Sequence, residues 1–186
     1  YKAGEHGMVT GLLYQVLEEG ATTADVSAIA NDGYAFKQWD DSKKVNPRSD
    51  VVGSEDKTYT AQFAQVFTLT YKAGEHGSIK GEATQKVFAG ESGSAVEAVP
   101  DPGYRFVKWD DNKTDNPRTE VNVTESKIYT AQFELITYAV TLKHEGNGTL
   151  SISGYDETML QSVPEGTVLT AVATPETGWK LKSLTA

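Results

Sequence analysis

The sequence contains no cysteine and has only three histidines and three arginines. Without cysteine there is no disulfide bridge, no thiolate zinc site and no thiol nucleophile. The scarcity of histidine leaves few general bases, and no Gly-x-Ser-x-Gly, phosphate-loop or dinucleotide fingerprint occurs. We therefore predict a protein that is not an enzyme and that holds no cofactor.

Basic charge and long apolar runs are scarce as well. Lysine and arginine number 17 against 26 aspartates and glutamates, which gives a formal net charge of −9. Nothing basic is concentrated enough to neutralise phosphates, so nucleic acid is excluded as a partner. No apolar run approaches the length of a membrane span, so no membrane insertion is expected. The acidity favours a soluble, self-repelling monomer that works outside a cell.

Internal repetition is what the sequence has in abundance. Tyr-Lys-Ala-Gly-Glu-His-Gly at 1–7 recurs unchanged at 71–77, and Tyr-Thr-Ala-Gln-Phe stands at 59–63 and at 129–133. The pattern Gly-Tyr-x-Phe-x-x-Trp-Asp-Asp, followed by Asn-Pro-Arg, begins at Gly33 and again at Gly103. A fixed period of this length is typical of an array of separate units.

The repetition predicts three domains. Residues 1–65 form a first copy with a truncated opening strand, 66–135 a complete second copy, and 136–186 a divergent third copy without an Asn-Pro-Arg corner. Because Tyr1 falls inside a motif that is complete at 67–71, we expect the sequence to be part of a longer chain. Residues 64–66 alone separate the two motifs at the first joint, and we expect a joint this short to limit bending. From its size, each copy should add about 30 Å to the length of an arm.

The local pattern within a copy is that of β-strands. Phe67, Leu69 and Tyr71 alternate with polar residues, which is the period of two of a half-buried strand. The segment 11–19 looks helical by itself, but its counterpart at 81–89 does not, so we expect strand or irregular chain at both. We predict mainly β modules with little or no helix, and a small β-sandwich is the alternative architecture.

Two further elements complete the prediction of six strands in each copy. Asp-Pro-Gly at 101–103 predicts a turn that joins the strand around Val96 and Ala98 to the aromatic strand as a hairpin. Val121 and Val123 predict a short fifth strand before the closing strand.

The large aromatic side chains are the candidates for the core. A module this small, without a disulfide, must bury its large side chains to be stable. The predicted core residues are Tyr34, Phe36, Trp39, Tyr59, Phe63, Phe67, Tyr71, Tyr104, Phe106, Trp109, Tyr129 and Phe133. Each tryptophan stands three residues after a phenylalanine, out of alternation, so we expect a β-bulge that returns the indole to the core. The alternative is an exposed indole that stacks on sugar rings.

An acidic pair and an arginine frame the loop after each aromatic strand. Adjacent exposed carboxylates suit neither a calcium site, which needs six or more oxygens, nor a glycosidase pair. We predict instead a clamp in which the arginine pairs with the acidic strand end or stacks on the tryptophan of its own copy. The alternative is a solvated arginine side chain. The clamp residues are Asp40, Asp41, Arg48, Asp110, Asp111 and Arg118.

The histidines are predicted to be exposed turn residues. His6, His76 and His144 occur one per copy, in or beside a glycine turn. Since a metal site needs several converging ligands, we expect no metal site.

These motifs resemble the B-repeats of internalins, also called the Listeria–Bacteroides repeat, and more closely their divergent relatives. The matching pieces are Phe-Thr-Leu-Thr-Tyr at 67–71, Gly-Tyr-x-Phe-x-x-Trp at 103–109 and Tyr-Thr-Ala-Gln-Phe at 129–133. The resemblance implies tandem β-grasp-like modules, arranged as beads on a string, in a secreted or cell-surface bacterial protein, and it brings no catalytic residues. It implies a spacer, stalk or adhesive arm whose partners are neighbouring repeats. The alternative is a module that binds a glycan or a host protein through exposed aromatic side chains.

Overall fold

The computed structural model describes residues 1–185, and these residues form β-strands joined by turns and irregular loops. The first copy contributes β1 (Lys2–Ala3), β2 (Gly7–Gly11), β3 (Val26–Ala30) and β4 (Tyr34–Trp39), and β5 (Thr60–Ala73) continues into the second. The second copy contributes β6 (Gly77–Lys80), β7 (Thr84–Phe88), β8 (Glu97–Pro100), β9 (Tyr104–Trp109) and β10 (Lys127–Leu135). The third contributes β11 (Thr137–Tyr138), β12 (Gly148–Ile152), β13 (Val163–Pro164) and β14 (Ala171–Pro175), with a 3-10 turn at Met159–Gln161. The prediction of mainly β modules with little helix is confirmed.

The contacts divide the chain into two compact units. One contains Tyr1–Tyr71, Gly81–Glu97 and Asn116–Tyr129, and the other contains Lys72–Lys80, Ala98–Asp115 and the chain from Thr130 onward. The division passes through the second copy because strand β5 serves two copies at once. The copy boundaries at 65/66 and 135/136 stay a prediction.

The first copy folds as two small sheets around one core. Strand β2 pairs antiparallel with β3, from Gly7 opposite Ala30 to Gly11 opposite Val26. Strand β4 pairs antiparallel with the first half of β5, and β1 pairs parallel with the beginning of β5. The buried core contains Val9, Val26, Ala28, Trp39 and Ala61, and Tyr1, Phe36, Tyr59 and Phe63 pack against it. Side chains of both sheets therefore meet in this core.

The hairpin predicted at Asp-Pro-Gly does not form, and the prediction is wrong in its strand pairing. Strand β8 pairs with β6, whereas β9 pairs antiparallel with β10. The turn at 101–103 thus carries the chain from one sheet to another. The physical reason is that the third strand and the aromatic strand supply core side chains from two different sheets, as Val26 and Trp39 do in the first copy.

The short strand predicted at Val121 and Val123 is also absent from the described part of the chain. Val123 is buried and Val121 is 71% exposed, but neither belongs to a strand, and Asn122 between them has a φ of 50°. The segment around 12–18 is irregular, whereas its counterpart in the second copy is strand β7. Strand β7 pairs with residues 66–70 of β5. The residues of the first copy that correspond to 66–70 would lie before Tyr1.

Strand β5 joins the first copy to the second without a linker. Its residues from Ala61 to Gln65 pair with β4, and those from Val66 to Thr70 pair with β7. The peptide between Gln65 and Val66 is held on both sides. The Val66 N–H donates to the Gly33 carbonyl at 2.9 Å, and the Gln65 carbonyl accepts from the Ala89 N–H at 2.9 Å. The N–H and C=O of one peptide point in opposite directions, so β4 and β7 flank β5 on opposite edges.

The third copy has a small core of its own but an uncovered C-terminal segment. Strand β11 pairs with β13, and β12 pairs with β14. Its buried core residues are Ile152, Leu160 and Val163. Trp179, Leu181 and Leu184 stand where the other copies have their aromatic strand, and they are 57%, 54% and 50% exposed.

Candidate functional site: a buried arginine cluster

A β-bulge in the aromatic strand turns each tryptophan into the core. Phe36 lies opposite Phe63 and Gln38 opposite Gln62, so Lys37 is the extra residue of β4. A bulge shifts the alternation by one residue, so Phe36 and Trp39 face the same side. The rings of Phe36 and Trp39 meet edge to face, with centroids 5.6 Å apart. The expected bulge is therefore present, and it recurs in β9 with Val107 as the extra residue.

The two tryptophans also fasten the loop that follows them. Trp39 and Trp109 have no exposed surface. The Trp39 indole N–H donates to the Val45 carbonyl at 2.9 Å, and that of Trp109 donates to the Asp115 carbonyl at 3.0 Å. A buried indole N–H needs such a partner, so the loop is held close to the strand end.

The Asn-Pro-Arg corner docks on the edge of strand β3. The Asn46–Pro47 peptide bond is cis. The Asn46 side chain accepts from the Ala28 N–H at 2.9 Å and donates to the Ala28 carbonyl at 2.8 Å. The backbones of Arg48 and Val26 exchange two hydrogen bonds of 2.9 Å. These bonds place the Arg48 side chain over the core, where it is 1% exposed.

The Arg48 guanidinium is enclosed by two carboxylates and an aromatic ring. Its two terminal nitrogens donate to the two Asp41 oxygens at 2.8 and 2.7 Å. Its Nε and one terminal nitrogen donate to Asp50 at 2.6 and 2.8 Å. Its Cζ lies 3.7 Å from the Tyr59 ring centroid and 5.3 Å from that of Trp39. Asp40, the other member of the predicted acidic pair, is exposed.

Tyr1 links the opening strand to the same cluster. Its hydroxyl donates to Asp50 at 2.9 Å and lies 3.0 Å from the Thr23 hydroxyl. Its ring centroid is 5.9 Å from those of Trp39 and Tyr59. Because Tyr59 directly precedes β5, the cluster holds the opening and closing ends of the copy together.

The second copy builds the cluster with a longer acid. Arg118 is 1% exposed, and its Nε donates to Glu120 at 2.6 Å. Its Cζ lies 3.7 Å from the Tyr129 ring, whose hydroxyl donates to Glu120 at 3.0 Å. The Tyr71 and Tyr129 rings stack with centroids 5.6 Å apart. Of the predicted clamp residues, Asp110 is exposed, and Asp111 accepts from the Lys113 N–H at 3.3 Å, as Asp41 does from the Lys43 N–H.

The charges of the first cluster stabilise one another. The hydrogen bonds from Arg48 lower the pKa of Asp41. Burial alone would raise the pKa of Asp50, but the hydrogen bonds from Arg48, Tyr1 and Lys43 outweigh it, and this pKa is lowered. Burial likewise works against the charge of Arg48, yet the two carboxylates raise its pKa above the ordinary arginine value. The first cluster is therefore an ionised, hydrogen-bonded network at neutral pH.

Burial dominates the titration of the tyrosines in the second cluster. It raises the pKa of Tyr71 to about 12. Burial and the hydrogen bond to Glu120 raise the pKa of Tyr129 to about 12 as well.

Sequence reasoning missed Asp50, Glu120 and Tyr1 as members of the clusters. A usable signal was present, because an acidic residue follows the arginine at the second position in both copies, as Arg-Ser-Asp and Arg-Thr-Glu. In an extended chain, residues two apart face the same side. The contact of Tyr1 with Asp50 had no such local signal.

The remaining predicted core aromatics are less deeply buried than the tryptophans. Tyr71 and Tyr129 are buried at 2% and 6% exposure. The half-buried members are Tyr34, Phe36, Tyr59, Phe63, Phe67, Tyr104, Phe106 and Phe133.

Two tyrosines of this group pack on the glycine turns. The exposed His6 stacks on Tyr34, and His76 on Tyr104, with centroids 4.0 Å apart in both pairs.

The chemistry open to this arrangement is structural. No group of three or more histidine, aspartate or glutamate side chains in residues 1–185 could hold a metal ion. The N–H groups of Arg48 donate to carboxylates, and the Tyr59 ring covers one face of the guanidinium. Arg48 therefore offers no open site for an anion. Across the same residues, no helix has the length and apolar character needed to cross a membrane.

Comparison with known families gives one match for each copy. The family described as the divergent InlB B-repeat domain matches residues 1–66, 67–137 and 138–186, which together span the sequence. Searches of curated proteins and of solved structures give no match. The family is typical of repeat regions in bacterial surface proteins, which suggests an extracellular or surface location, and it is generally non-catalytic. The resemblance found in the sequence is thus confirmed, and the chain belongs to the family of divergent InlB B-repeat domains.

Proposed function

We propose that this chain is a non-catalytic spacer or stalk in a bacterial surface protein. The observation that carries the proposal is the junction at Gln65 and Val66. A flexible linker would leave its peptide groups to water, whereas this peptide is bonded to Gly33 on one edge and to Ala89 on the other. Bending at this point costs backbone hydrogen bonds, so the joint resists it.

The junction between the second and third copies supports the same interpretation. The Ile136 N–H donates to the Gly103 carbonyl at 2.8 Å, as Val66 does to Gly33 in the first junction. The Ile136 carbonyl accepts from the Glu165 N–H at 2.9 Å. Each junction is thus held by hydrogen bonds to the copy before it and to the copy after it.

A side-chain contact adds to the first junction. The Lys37 ammonium lies 3.2 Å from a Glu91 oxygen and 5.4 Å from the Phe88 ring centroid. Lys37 and Glu91 side chains are 44% and 53% exposed. An ion pair this exposed is worth about 0–1 kcal/mol, so the paired backbone supplies most of the resistance to bending.

Binding of a glycan or a protein is the second candidate function. In the sequence its candidates are Trp39 and Trp109, which have no exposed surface available for a sugar ring. A binding surface would have to use other aromatic side chains, such as Tyr14 at 87% exposure and Trp179 at 57%.

A test of the spacer function compares reach with copy number. A tagged ligand domain is displayed on a bacterial surface above zero, one or two further tandem copies of this chain, and the tag height is measured by fluorescence. We expect the height to rise with each added copy, and no rise would overturn the proposal. Solution scattering on the chain itself is expected to give a radius of gyration above the globular value of about 16 Å. A glycan or host-protein array with strong binding would favour the second candidate instead.

A further inference from the structure

The opening and closing strands of the first copy lie side by side and run in the same direction. Lys2 pairs with Thr60 and Ala3 with Ala61 in a parallel ladder. The Lys2 N–H donates to the Tyr59 carbonyl at 2.9 Å, and the Gly4 N–H donates to the Ala61 carbonyl at 2.8 Å. The chain enters the copy along β1 and leaves it along β5.

This arrangement determines how tension acts on the copy. A pull from the two neighbours draws β1 towards its N-terminal end and β5 towards its C-terminal end. Because the strands are parallel and adjacent, these pulls are opposed along one axis, and they load all the bonds between the strands together, in shear. In an antiparallel pair pulled from adjacent ends the bonds would break one after another.

We propose that each of the first two copies is a tension-bearing clamp, reinforced by its arginine cluster. The inference rests on the proposed stalk function, because a stalk that anchors a cell is pulled along its length. In the first copy, Asp50 accepts from Tyr1, which directly precedes β1, and from Arg48, which lies over Tyr59, directly before β5. Sliding β1 along β5 must therefore break the cluster as well as the ladder.

The second copy carries the same device. The Gly74 N–H donates to the Ala131 carbonyl at 2.8 Å, as Gly4 does to Ala61. Stacked Tyr71 and Tyr129 stand where Tyr1 and Tyr59 stand, and Arg118 lies over Tyr129. A Cβ at Gly4 would lie 2.7 Å from the Ala61 carbonyl oxygen, and one at Gly74 would lie 2.8 Å from that of Ala131. The two strands thus approach too closely for a side chain at this position.

The test uses single-molecule force spectroscopy with two pulling directions. The natural chain has no cysteine, so introduced cysteines are unique attachment points. The first variant carries a cysteine added directly before Tyr1 together with Gln65→Cys, which loads β1 against β5 in shear. The matched control carries Asp32→Cys with the same Gln65→Cys, which peels β4 from β5 beginning at the Tyr34–Gln65 pair. Asp32 and Gln65 are both exposed.

We expect the first copy to unfold at a higher force in the shear direction than in the peeling direction, at equal loading rates. Equal forces in the two directions would overturn the clamp. Tyr1→Phe removes only the hydroxyl bonded to Asp50 and Thr23, and it is expected to lower the shear force. Tyr14→Phe removes an exposed hydroxyl and is expected to leave it unchanged. A shear force equal in the Tyr1→Phe variant and the parent would overturn the role of the cluster.

The force measurement tests the clamp separately from the stalk proposal. The ratio of forces in the two directions depends on interactions within one copy, whereas the tag height depends on copy number. If added copies raise the tag but the two pulling directions give equal unfolding forces, the stalk proposal stands and the clamp proposal fails. If the unfolding force is higher in shear but added copies leave the tag height unchanged, the stalk proposal fails.

Discussion

Arg48 lies over the ring of Tyr59, with its Cζ 3.7 Å from the ring centroid. The same distance separates Arg118 from Tyr129 in the second copy. The ring covers one face of the guanidinium while carboxylates take the donors at its edge. A charge removed from water in this way is stable only while all its partners remain, so loss of a partner should be costly.

Arg48→Ala should destabilise the first copy by about 3–5 kcal/mol, because it leaves Asp50 as a buried carboxylate without its main partner. Arg118→Ala should act in the same direction on the second copy. Urea or thermal unfolding followed by circular dichroism measures the change. Arg105→Ala is the matched control, since Arg105 pairs with Glu134 at the surface with 67% and 46% of the two side chains exposed. Its cost should be about 0–1 kcal/mol. Equal melting of the Arg48→Ala and Arg105→Ala variants would show that the cluster contributes no more than a surface pair.

Stability should fall at acid pH as Asp41 and Asp50 take up protons. Both pKa values are lowered in the folded chain, so the unfolded state binds protons more readily. The contribution of these groups is complete above their unfolded pKa of about 4 and is lost as the pH falls through their folded values. Urea midpoints measured from pH 7 to pH 2 report the loss. Asp41→Asn should flatten this acid branch, because it removes one of the two carboxylates whose pKa the cluster lowers.

Alkaline pH should destabilise the second copy. Tyr71 and Tyr129 have pKa values raised to about 12 in the folded chain, against about 10 in the unfolded chain. The folded state therefore holds its protons more tightly, and the stability present below about pH 10 declines as the pH rises towards about 12. A tenfold difference in proton affinity between the folded and unfolded chain corresponds to about 1.4 kcal/mol of that stability. Absorbance at the tyrosinate band, recorded with circular dichroism, follows both events. Ionisation of all tyrosines near pH 10 without unfolding would contradict the prediction.

Trp109→Ala should cost about 3–5 kcal/mol, because it removes a fully buried indole and leaves a cavity in a small core. Such a loss is a large part of the stability of a domain. Trp179→Ala removes an indole that is 57% exposed and should change stability by less than about 0.5 kcal/mol. Thermal melts of both variants measure the difference. A Trp109→Ala variant that melts like the parent but loses binding to a glycan or a surface protein would favour the binding function over the spacer.

Gly77→Ala should destabilise the second copy by about 1–3 kcal/mol through overpacking. A Cβ at this position would lie 2.4 Å from Cζ of Phe133, and one at Gly7 would lie 2.4 Å from that of Phe63. Gly53→Ala is the control, because a Cβ there meets nothing within 4 Å. It should be neutral or stabilise by up to about 1 kcal/mol, since alanine restricts the unfolded chain more than glycine does. An equal response of the two variants would contradict the close contact with Phe133.

Features carried by local pattern could be predicted from the sequence. The repeated motifs indicate the three copies that the family matches also delimit, and the alternation around Phe67 to Tyr71 predicts strand. The displaced spacing of Phe36 and Trp39 indicates the bulge, because only an extra residue puts both on one face. The turn between Asn46 and Arg48 places the arginine near its own acidic strand end, a short distance along the chain.

Only the tertiary structure decided which elements meet. Periodicity tells which face of a strand is buried, but the neighbour of a strand depends on how two sheets close around a shared core. For that reason the turn at 101–103 connects sheets and does not close a hairpin, and β5 serves two copies at once. The contact of Tyr1 with Asp50 and the parallel pairing of β1 with β5 join residues far apart in sequence. No local signal specifies such contacts, because they arise only when the core brings the two ends of a copy together.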